Sequence, residues 1–256
     1  MAIIKTEKEI ETLREGGRRL AFVLNRVSSA AKPGVDAAEL EDLARRLIKE
    51  SGDRPSFLGY KGRGDRRPFP AALCVSVNDE LVHGVPNRRA KILRSGDIAG
   101  LDLGLIHEGF YLDAAVTVAV GSADETARRL VKVTKEALLT GIRAARPGGR
   151  VGDISFAIES FVKPTGFGVV TALAGHGVGR AVHEEPLVPN YGKKGTGPEL
   201  LRGMVLAIEP MITEGSPEVV LDTDGFTWRT KDGKRSAHFE HTILIAEGRV
   251  EILTTV

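Results

Sequence analysis

Two hydrophobic periodicities alternate along the chain and predict a mixture of helices and strands. Capping boxes at residues 6–9 and 36–39 precede segments whose apolar residues recur at helical spacing, so a helix is predicted after each. Two further helices are predicted over 124–146 and 153–163, and proline ends both patterns. The predicted helices therefore form two pairs, one in each half of the chain.

Short apolar stretches typical of strands occupy much of the remaining chain. Residues 53–70 are rich in glycine, proline and basic side chains and predict a long surface loop, as does the glycine-containing segment 174–186. The predicted strands are 72–77, 97–106, 110–120, 168–172, 204–213, 218–221, 226–230, 236–246 and 249–253.

The stretch Gly96–Asp113 predicts a β-hairpin with its turn at residues 107–109. If the turn is centred between residues 107 and 108, Asp102 lies directly opposite Asp113, with Cβ atoms about 4.5–5.5 Å apart. A register slip of one or two residues still leaves the two carboxylates close. Because adjacent carboxylates repel one another, they predict a cation between them. His107, in the turn, is expected to be exposed.

Three sequence features of the first half return in the same order in the second. A Pro-Gly motif and a His-Gly-Val motif each occur twice, and a glycine precedes Asp102 and Glu209 by six residues. We expect a diverged duplication of two α-α-β-β halves, about 1–121 and 122–256, related by a pseudo-two-fold axis. The predicted class is α/β (α+β), with residues 1–256 forming one domain around a mixed or antiparallel sheet.

Acidic residues inside apolar strands are the main candidates for chemistry. Glu209 and Glu240 lie in the strand-like sequences LAIEPMI and HFEHTILI, where an unpaired buried charge would be costly. With Asp102 and Asp113 they make four carboxylates, and His176, between two glycines, adds one nitrogen. This set predicts two divalent ions that share bridging carboxylates, and Mn²⁺, Fe²⁺, Co²⁺ and Zn²⁺ are all acceptable.

Three further histidines are candidates for roles around the ions. His83 and His183 each follow a valine in a loop and are expected to donate to a substrate carbonyl or a tetrahedral oxyanion, the alternative being a surface residue. His238 shares a strand face with Glu240, so it either hydrogen-bonds a metal ligand or is merely structural. Cys74, inside an apolar strand, is typical of a small core residue.

The composition restricts the class of protein without defining an activity. Apolar residues make up 42% and charged residues 27%, which is ordinary for a soluble globular protein. The chain has one cysteine, no signal-peptide pattern at its N-terminus and no apolar run near the ~18 residues of a membrane span. These features predict a cytoplasmic protein with no membrane partner. A net charge of +2 does not by itself imply nucleic-acid binding.

The ordered set of acids and histidines resembles the methionine aminopeptidases. The resemblance extends from about Ile3 to Leu253 and is closest to the short, bacterial type I form. It implies the pita-bread fold, two divalent ions in a single catalytic domain, and removal of the initiator methionine from nascent polypeptides, with a preference for small second residues. The sequences that carry it are CVSVNDELVHGVP, GHGVGRAVHEEP, LAIEPMIT and AHFEHTILI.

The resemblance also implies a role for each ligand candidate. Asp102 would bind one ion and Asp113 both ions. His176 and Glu209 would bind the second ion, and Glu240 would bridge the pair. Glu209 is also expected to accept the proton of the attacking water.

The resemblance also implies which residues contact the substrate. His83 and His183 would contact the substrate backbone. Cys74, Tyr60 and Phe226 match positions that line the pocket for the methionine side chain. For Cys74, this apolar pocket role replaces the core interpretation.

Three departures from the family pattern affect the pocket. Gly104 stands where threonine is usual, which removes a hydroxyl near the ions, and Val182 stands where phenylalanine often packs on methionine. The loop that ends at Cys74 is longer than in bacterial relatives, so Phe69 is the expected second pocket aromatic.

Two other functions remain open alongside methionine removal. An X-Pro aminopeptidase or prolidase shares the fold but usually carries an additional N-terminal domain, for which this chain has no room. A non-catalytic binding protein on the same fold would lose metal ligands, whereas all five are present. The expected partner is the N-terminus of a nascent peptide, with the protein acting as a monomer and associating at most weakly with the ribosome.

Overall fold

The computed structural model describes residues 4–62 and 66–255 and contains the two predicted pairs of helices. Both predicted capping boxes form: the side chains of Glu9 and Glu39 accept hydrogen bonds from the backbone N–H groups of their N-cap residues. No helix within the described ranges is both long and apolar enough to span a bilayer. The helices are α1 (Glu7–Ala30), α2 (Ala37–Glu50), α3 (Glu125–Ala144) and α4 (Val151–Val162), followed by a 3-10 turn at Lys163–Thr165.

Fifteen strands are assigned within the described residues, and most of them overlap a predicted strand. They are β1 (Arg54–Pro55), β2 (Leu73–Val77), β3 (Glu80–Val82), β4 (Ile98–His107), β5 (Phe110–Ala119), β6 (Gly168–Val169), β7 (Ala174–Gly177), β8 (Glu184–Pro189), β9 (Val205–Ile208), β10 (Met211–Thr213), β11 (Val219–Leu221), β12 (Trp228–Thr230), β13 (Ser236–His238), β14 (Glu240–Ile245) and β15 (Val250–Ile252).

Strands from both halves of the chain join in one nine-stranded antiparallel sheet. Its order is β1-β4-β5-β14-β9-β7-β8, with β2 paired to β4 and β15 paired to β14. Two three-stranded sheets, β13-β10-β6 and β11-β12-β3, lie outside this path. The predicted mixed α/β class around an antiparallel sheet is confirmed.

The helices pack on one face of the main sheet. Helices α1 and α2 share a core with Leu101 and Leu103, and helices α3 and α4 share a second core with Leu206 and Ile243. Because successive side chains of a strand point to opposite faces, Asp102 lies on the face away from the helices. The alternation therefore separates an apolar, helix-covered face from a polar one.

The register of the β4–β5 hairpin differs by two residues from the predicted one. Asp113 pairs with Gly104, not with Asp102, and Asp102 pairs with Ala115. The turn is formed by Glu108 and Gly109, which both have positive φ, so its centre lies one residue later than predicted. Because the shift is even, both aspartates stay on one face as diagonal neighbours.

His107 is buried, contrary to the prediction that it is exposed in the turn. It is the last residue of β4, and its Nδ1 lies 2.8 Å from Asp53 Oδ1. Helix α1 passes directly over it: a Cβ added to Gly16 would lie 2.9 Å from His107 Cβ. The glycine in the middle of α1 therefore allows a close contact between the helix and the sheet.

The prediction of a loop at 174–186 is wrong, because β7 and the first half of β8 lie there. Strand β7 lacks hydrophobic alternation since its glycines face neighbouring backbone: a Cβ on Gly177 would lie 2.5 Å from the carbonyl oxygen of Glu185. Two predicted strands are each divided, 204–213 after Ile208 and 236–246 at Phe239.

The predicted loop at 53–70 holds only the two-residue strand β1 within its described part. The tripeptide Arg63-Gly64-Asp65 looks like an adhesion motif, a likeness that we attribute to chance, and it lies outside the described residues.

Candidate metal centre and substrate cavity

Five potential metal ligands lie on five consecutive strands, or directly beside them, on the face opposite the helices. Asp102 is on β4, Asp113 on β5, Glu240 at the start of β14 and His176 on β7, whereas Glu209 directly follows β9. In the sheet these strands are neighbours in the order β4-β5-β14-β9-β7. Residues far apart in sequence are thereby brought into one row across the sheet.

Strand pairing explains why these side chains converge. Asp102 and Glu240 both pair with Ala115, one from each side, so all three side chains share a face. His176 pairs with Ala207 of β9. Ligand atoms of Asp113, His176 and Glu240 lie within 4.8 Å of one another, which is close enough for all three to hold one cation.

Three carboxylates of this cluster present oxygens that have no hydrogen-bond partner among the described residues. These atoms are Asp102 Oδ1, Asp113 Oδ1 and Glu240 Oε1, all buried. An unpartnered buried acceptor costs about 1–3 kcal/mol, and more when it is charged. Divalent cations such as Mn²⁺ accept an oxygen-rich ligand set with one imidazole. The residues in this cluster therefore fit the metal centre that the sequence predicts.

Burial and mutual repulsion raise the pKa of most of these acids. Burial raises the pKa of Asp102 to about 6. The pKa values of Asp113 and Glu240 are raised well above their usual range, by burial first and then by the neighbouring carboxylates. A bound cation would favour the ionised forms and reverse these shifts.

Glu209 differs from the other acids because histidines surround it. Its Oε1 lies 3.4 Å from Nε2 of His176, and its Oε2 lies 3.5 Å from Nε2 of His238. Burial opposes ionisation, but the nearby imidazoles of His238, His176 and His83 outweigh it and lower the pKa of Glu209. Glu209 is therefore the member of the cluster that most readily carries a negative charge.

The tautomer of His176 suits a metal ligand. Its Nδ1 donates to the carbonyl oxygen of Gly177 at 2.9 Å, which leaves Nε2 with a free lone pair facing the carboxylates. His238 lies behind the cluster, with Nε2 also 4.0 Å from Glu240 Oε2. That placement suits the predicted hydrogen-bonding role of His238.

His83 and His183 flank a cavity of about 500 Å³ that opens onto the acids. The ring of His183 makes an edge contact with that of His176 at 4.4 Å between centroids, and its Nδ1 lies 2.7 Å from the Tyr60 hydroxyl. His83 has a left-handed backbone, with φ of 57°, and its carbonyl oxygen accepts from Thr227. Both imidazoles thus border the space where a substrate would meet the ions.

The opposite wall of the cavity is apolar. Phe69 and Phe226 meet edge to face at 5.4 Å and pack with Cys74. Cys74 pairs with Asp102 across β2 and β4, which places the thiol beside the acids. Burial, followed by Asp102 and Asp113, raises the pKa of Cys74 well above its usual value, so it stays a neutral thiol.

Sequence reasoning missed two aromatic residues of this cavity, Phe57 and Trp228. Phe57 lies in the loop before Tyr60, where no periodicity marks it. Trp228 is the only tryptophan of the chain and lies in a short strand of mixed pattern, so its residue type was the available signal. Val182, noted as a departure, also lines the cavity.

Gly104 departs from the family pattern, and other residues already fill the space that a side chain at this position would need. A Cβ there would collide with Oγ of Ser56 and lie 2.9 Å from Cε1 of Phe57. The buried Ser56 hydroxyl has no hydrogen-bond partner among the described residues. Ser56 thus places a hydroxyl beside the strand position that faces Asp113.

Comparisons with known proteins agree with this geometry. Residues 11–247 match the model of metallopeptidase family M24. The chain is 45% identical over 254 residues to a methionine aminopeptidase of Clostridium acetobutylicum, covering 99% of each chain. A crystal structure of methionine aminopeptidase from Thermotoga maritima superposes with a TM-score of 0.95 at 46% identity, covering 100% of both chains. A prolidase from Pyrococcus horikoshii shares the fold at 24% identity and a TM-score of 0.76, with 64% of its own chain covered.

Proposed function

Because the chain belongs to metallopeptidase family M24, we propose that it removes the initiator methionine from newly made polypeptides. Full-length similarity to methionine aminopeptidases supports an aminopeptidase, whereas prolidases are more distant relatives. The observation that carries the proposal is the juxtaposition of three buried, unpartnered carboxylate oxygens with an apolar cavity of about 500 Å³. One part suits metal ions and the other suits an unbranched apolar side chain.

The five ligand candidates are proposed to hold two divalent ions. Asp102 would serve one ion, His176 and Glu209 the other, and Asp113 and Glu240 both. When bound, the ions supply Lewis-acid activation of water and of the scissile carbonyl at neutral pH. The lowered pKa of Glu209 keeps its carboxylate ionised, which is the form that can accept a proton.

The residues around the ions are proposed to bind and orient the peptide. His83 and His183 would donate to the carbonyl oxygen as negative charge develops on it. Cys74, Tyr60 and Phe226 would enclose the methionine side chain and exclude water from it. Because apolar burial contributes roughly 25 cal/mol per Å², this pocket supplies much of the affinity for the N-terminal residue.

Further aspects of the function are proposed on the same basis. Substrates would be N-termini of nascent peptides with small second residues, met in the cytoplasm by a monomer that associates at most weakly with the ribosome. Residues 1–256 would act as one catalytic domain, a view supported by the main sheet, which takes strands from both halves.

Turnover of two peptides tests the proposal. After loading with Mn²⁺ or Co²⁺, we expect release of methionine from Met-Ala-Ser, loss of this activity on chelation, and no cleavage of Ala-Pro-Phe. Cleavage of Ala-Pro-Phe alone would indicate an X-Pro aminopeptidase. Absence of metal-dependent cleavage of either peptide would contradict the proposal and favour a non-catalytic binding protein.

A further inference from the structure

A buried ion pair lies directly behind the turn that carries His183. The turn, residues 178–183, connects β7 to β8, and Glu184 is the first residue of β8. Oε1 of Glu184 accepts the backbone N–H groups of Arg180 and Ala181, and its Oε2 accepts Nζ of Lys5. One carboxylate therefore binds the turn preceding it and the N-terminal segment at the same time.

Lys5 is held both at its backbone and at the end of its side chain. Its backbone N–H donates to the carbonyl oxygen of Gly203 at 2.9 Å, and its side chain is 0% exposed. The stem packs against Gly179, whose φ is +135° and where an added Cβ would collide with Lys5 Cε. The carbonyl oxygen of Gly179 accepts from Tyr111 of β5 at 2.7 Å, so the turn is held on two sides.

A second ion pair on the same turn provides a contrast. Arg180 pairs with Glu9 of α1 at 2.8 Å, but its side chain is 46% exposed. Exposed pairs contribute little, whereas removal of one partner of a buried pair leaves an uncompensated charge and costs far more. Of the two ion pairs, Lys5–Glu184 is therefore the one that contributes more to the position of the turn.

The turn also carries a side chain that borders the substrate cavity. His183, the residue before Glu184, reaches Tyr60 and the ring of His176 across the cavity. A shift of Glu184 moves the backbone of His183 directly. We propose that Lys5 and Glu184 are positioning residues that hold the His183 imidazole against the substrate carbonyl. This inference rests on the proposed function only for the role of His183.

Substitution of Lys5→Met tests the inference, because methionine keeps the stem and removes the charge. We expect kcat for Met-Ala-Ser to fall by roughly tenfold or more, since small misplacements of catalytic groups have effects of this size. Arg14→Gln is the matched control, since it breaks the partly buried Arg14–Glu251 pair away from this turn and should leave kcat within about twofold. Glu184→Gln should resemble Lys5→Met and replaces it if that variant does not fold.

A double-mutant cycle separates positioning from general destabilisation. In a His183→Ala background, Lys5→Met should cause little additional loss of kcat, because the group through which it acts is gone. Multiplicative losses in the double variant, or unchanged kcat in both Lys5→Met and Glu184→Gln, would overturn the inference.

Imidazole NMR of the ion-free protein tests the inference without turnover. Lys5→Met should shift the His183 cross-peaks and leave those of His107 unchanged. If the wild type fails to cleave Met-Ala-Ser, the proposed function fails, yet this shift still tests the inference. Unmoved His183 cross-peaks would overturn it.

Discussion

At the scale of single residues, Ser56 and Gly104 show what a local pattern cannot reveal. The sequence identifies Gly104 as unusual, but the hydroxyl above it comes from a residue 48 positions earlier in the chain, in a segment without periodicity. Only the pairing of β1 with β4 brings the two together. The metal-ligand candidates could be identified from the local sequence alone, since an acid within an apolar strand is conspicuous by itself.

Substitution of Gly104→Ala should destabilise the protein. The added methyl group meets Ser56 Oγ and Phe57 in a filled space, and such overpacking costs about 1–3 kcal/mol. Urea denaturation measures the change. Gly100→Ala is the matched control on the same strand, because its nearest neighbour lies 3.6 Å away.

The double variant Ser56→Ala/Gly104→Ala should recover part of this loss, because it removes the colliding oxygen. Equal stability of Gly104→Ala and Gly100→Ala would contradict the steric account.

At the scale of elements, helix α1 shows packing prevailing over propensity. Alanine is favoured over glycine in a helix interior by about 1 kcal/mol, so Gly17→Ala should stabilise an isolated helix. In the folded protein, a Cβ at residue 17 would collide with the backbone of Leu253, which cannot rotate away. We therefore expect a net loss in the free energy of unfolding.

Denaturation of Gly17→Ala beside Asn25→Ala measures that balance. Asn25 is exposed on the same helix, so its replacement should be neutral or slightly stabilising. A more stable Gly17→Ala variant would show that the contact with Leu253 yields easily.

The contact between α1 and the His183 turn should depend on pH. The hydrogen bond from Arg180, followed by the N-terminal contacts of α1, lowers the pKa of Glu9 to about 2. A depressed acid pKa stabilises the folded state above the unfolded value near 4.5, and the gain is lost as pH falls towards 2. The Tm difference between wild type and Glu9→Gln should therefore be largest near pH 6 and shrink towards pH 3. A difference independent of pH would contradict this linkage.

Element types were largely predictable from sequence, but pairing was not. Capping boxes identify the starts of α1 and α2 because they are local chemistry. The register of β4 with β5 depends on which two residues adopt positive φ, and a window of sequence does not decide between 107–108 and 108–109. Strand β7 escapes detection because its glycines serve long-range backbone contacts and provide no apolar alternation.

At the scale of the whole molecule, the two halves meet where the acids do. Strands β4 and β5 come from the first half and β7, β9 and β14 from the second, so the cluster depends on correct assembly of both. The sequence repeat leads us to expect contributions from both halves, whereas it indicates nothing about the aromatic cavity residues Phe57 and Trp228. A ligand that binds only this assembled cluster must stabilise the whole fold.

Metal binding should therefore raise the Tm of the ion-free protein. With Mn²⁺ at one hundred times its Kd, the free energy of unfolding should increase by about 2.7 kcal/mol, and calorimetry measures the accompanying rise in Tm. Glu240→Gln should abolish most of this gain while leaving the ion-free protein folded, since it replaces a buried, unpartnered acid with a neutral group. Glu11→Gln, at a side chain that is 69% exposed, should keep the full gain.

The acids on β4, β5 and β14, with Glu209 and His176, are proposed to form a centre for two metal ions. Anomalous diffraction from crystals grown with Co²⁺ or Mn²⁺ tests it most directly. We expect two neighbouring peaks bordered by Asp113 and Glu240, with His176 beside one of them. Absence of any peak at this cluster, at metal concentrations that support methionine release, would contradict it.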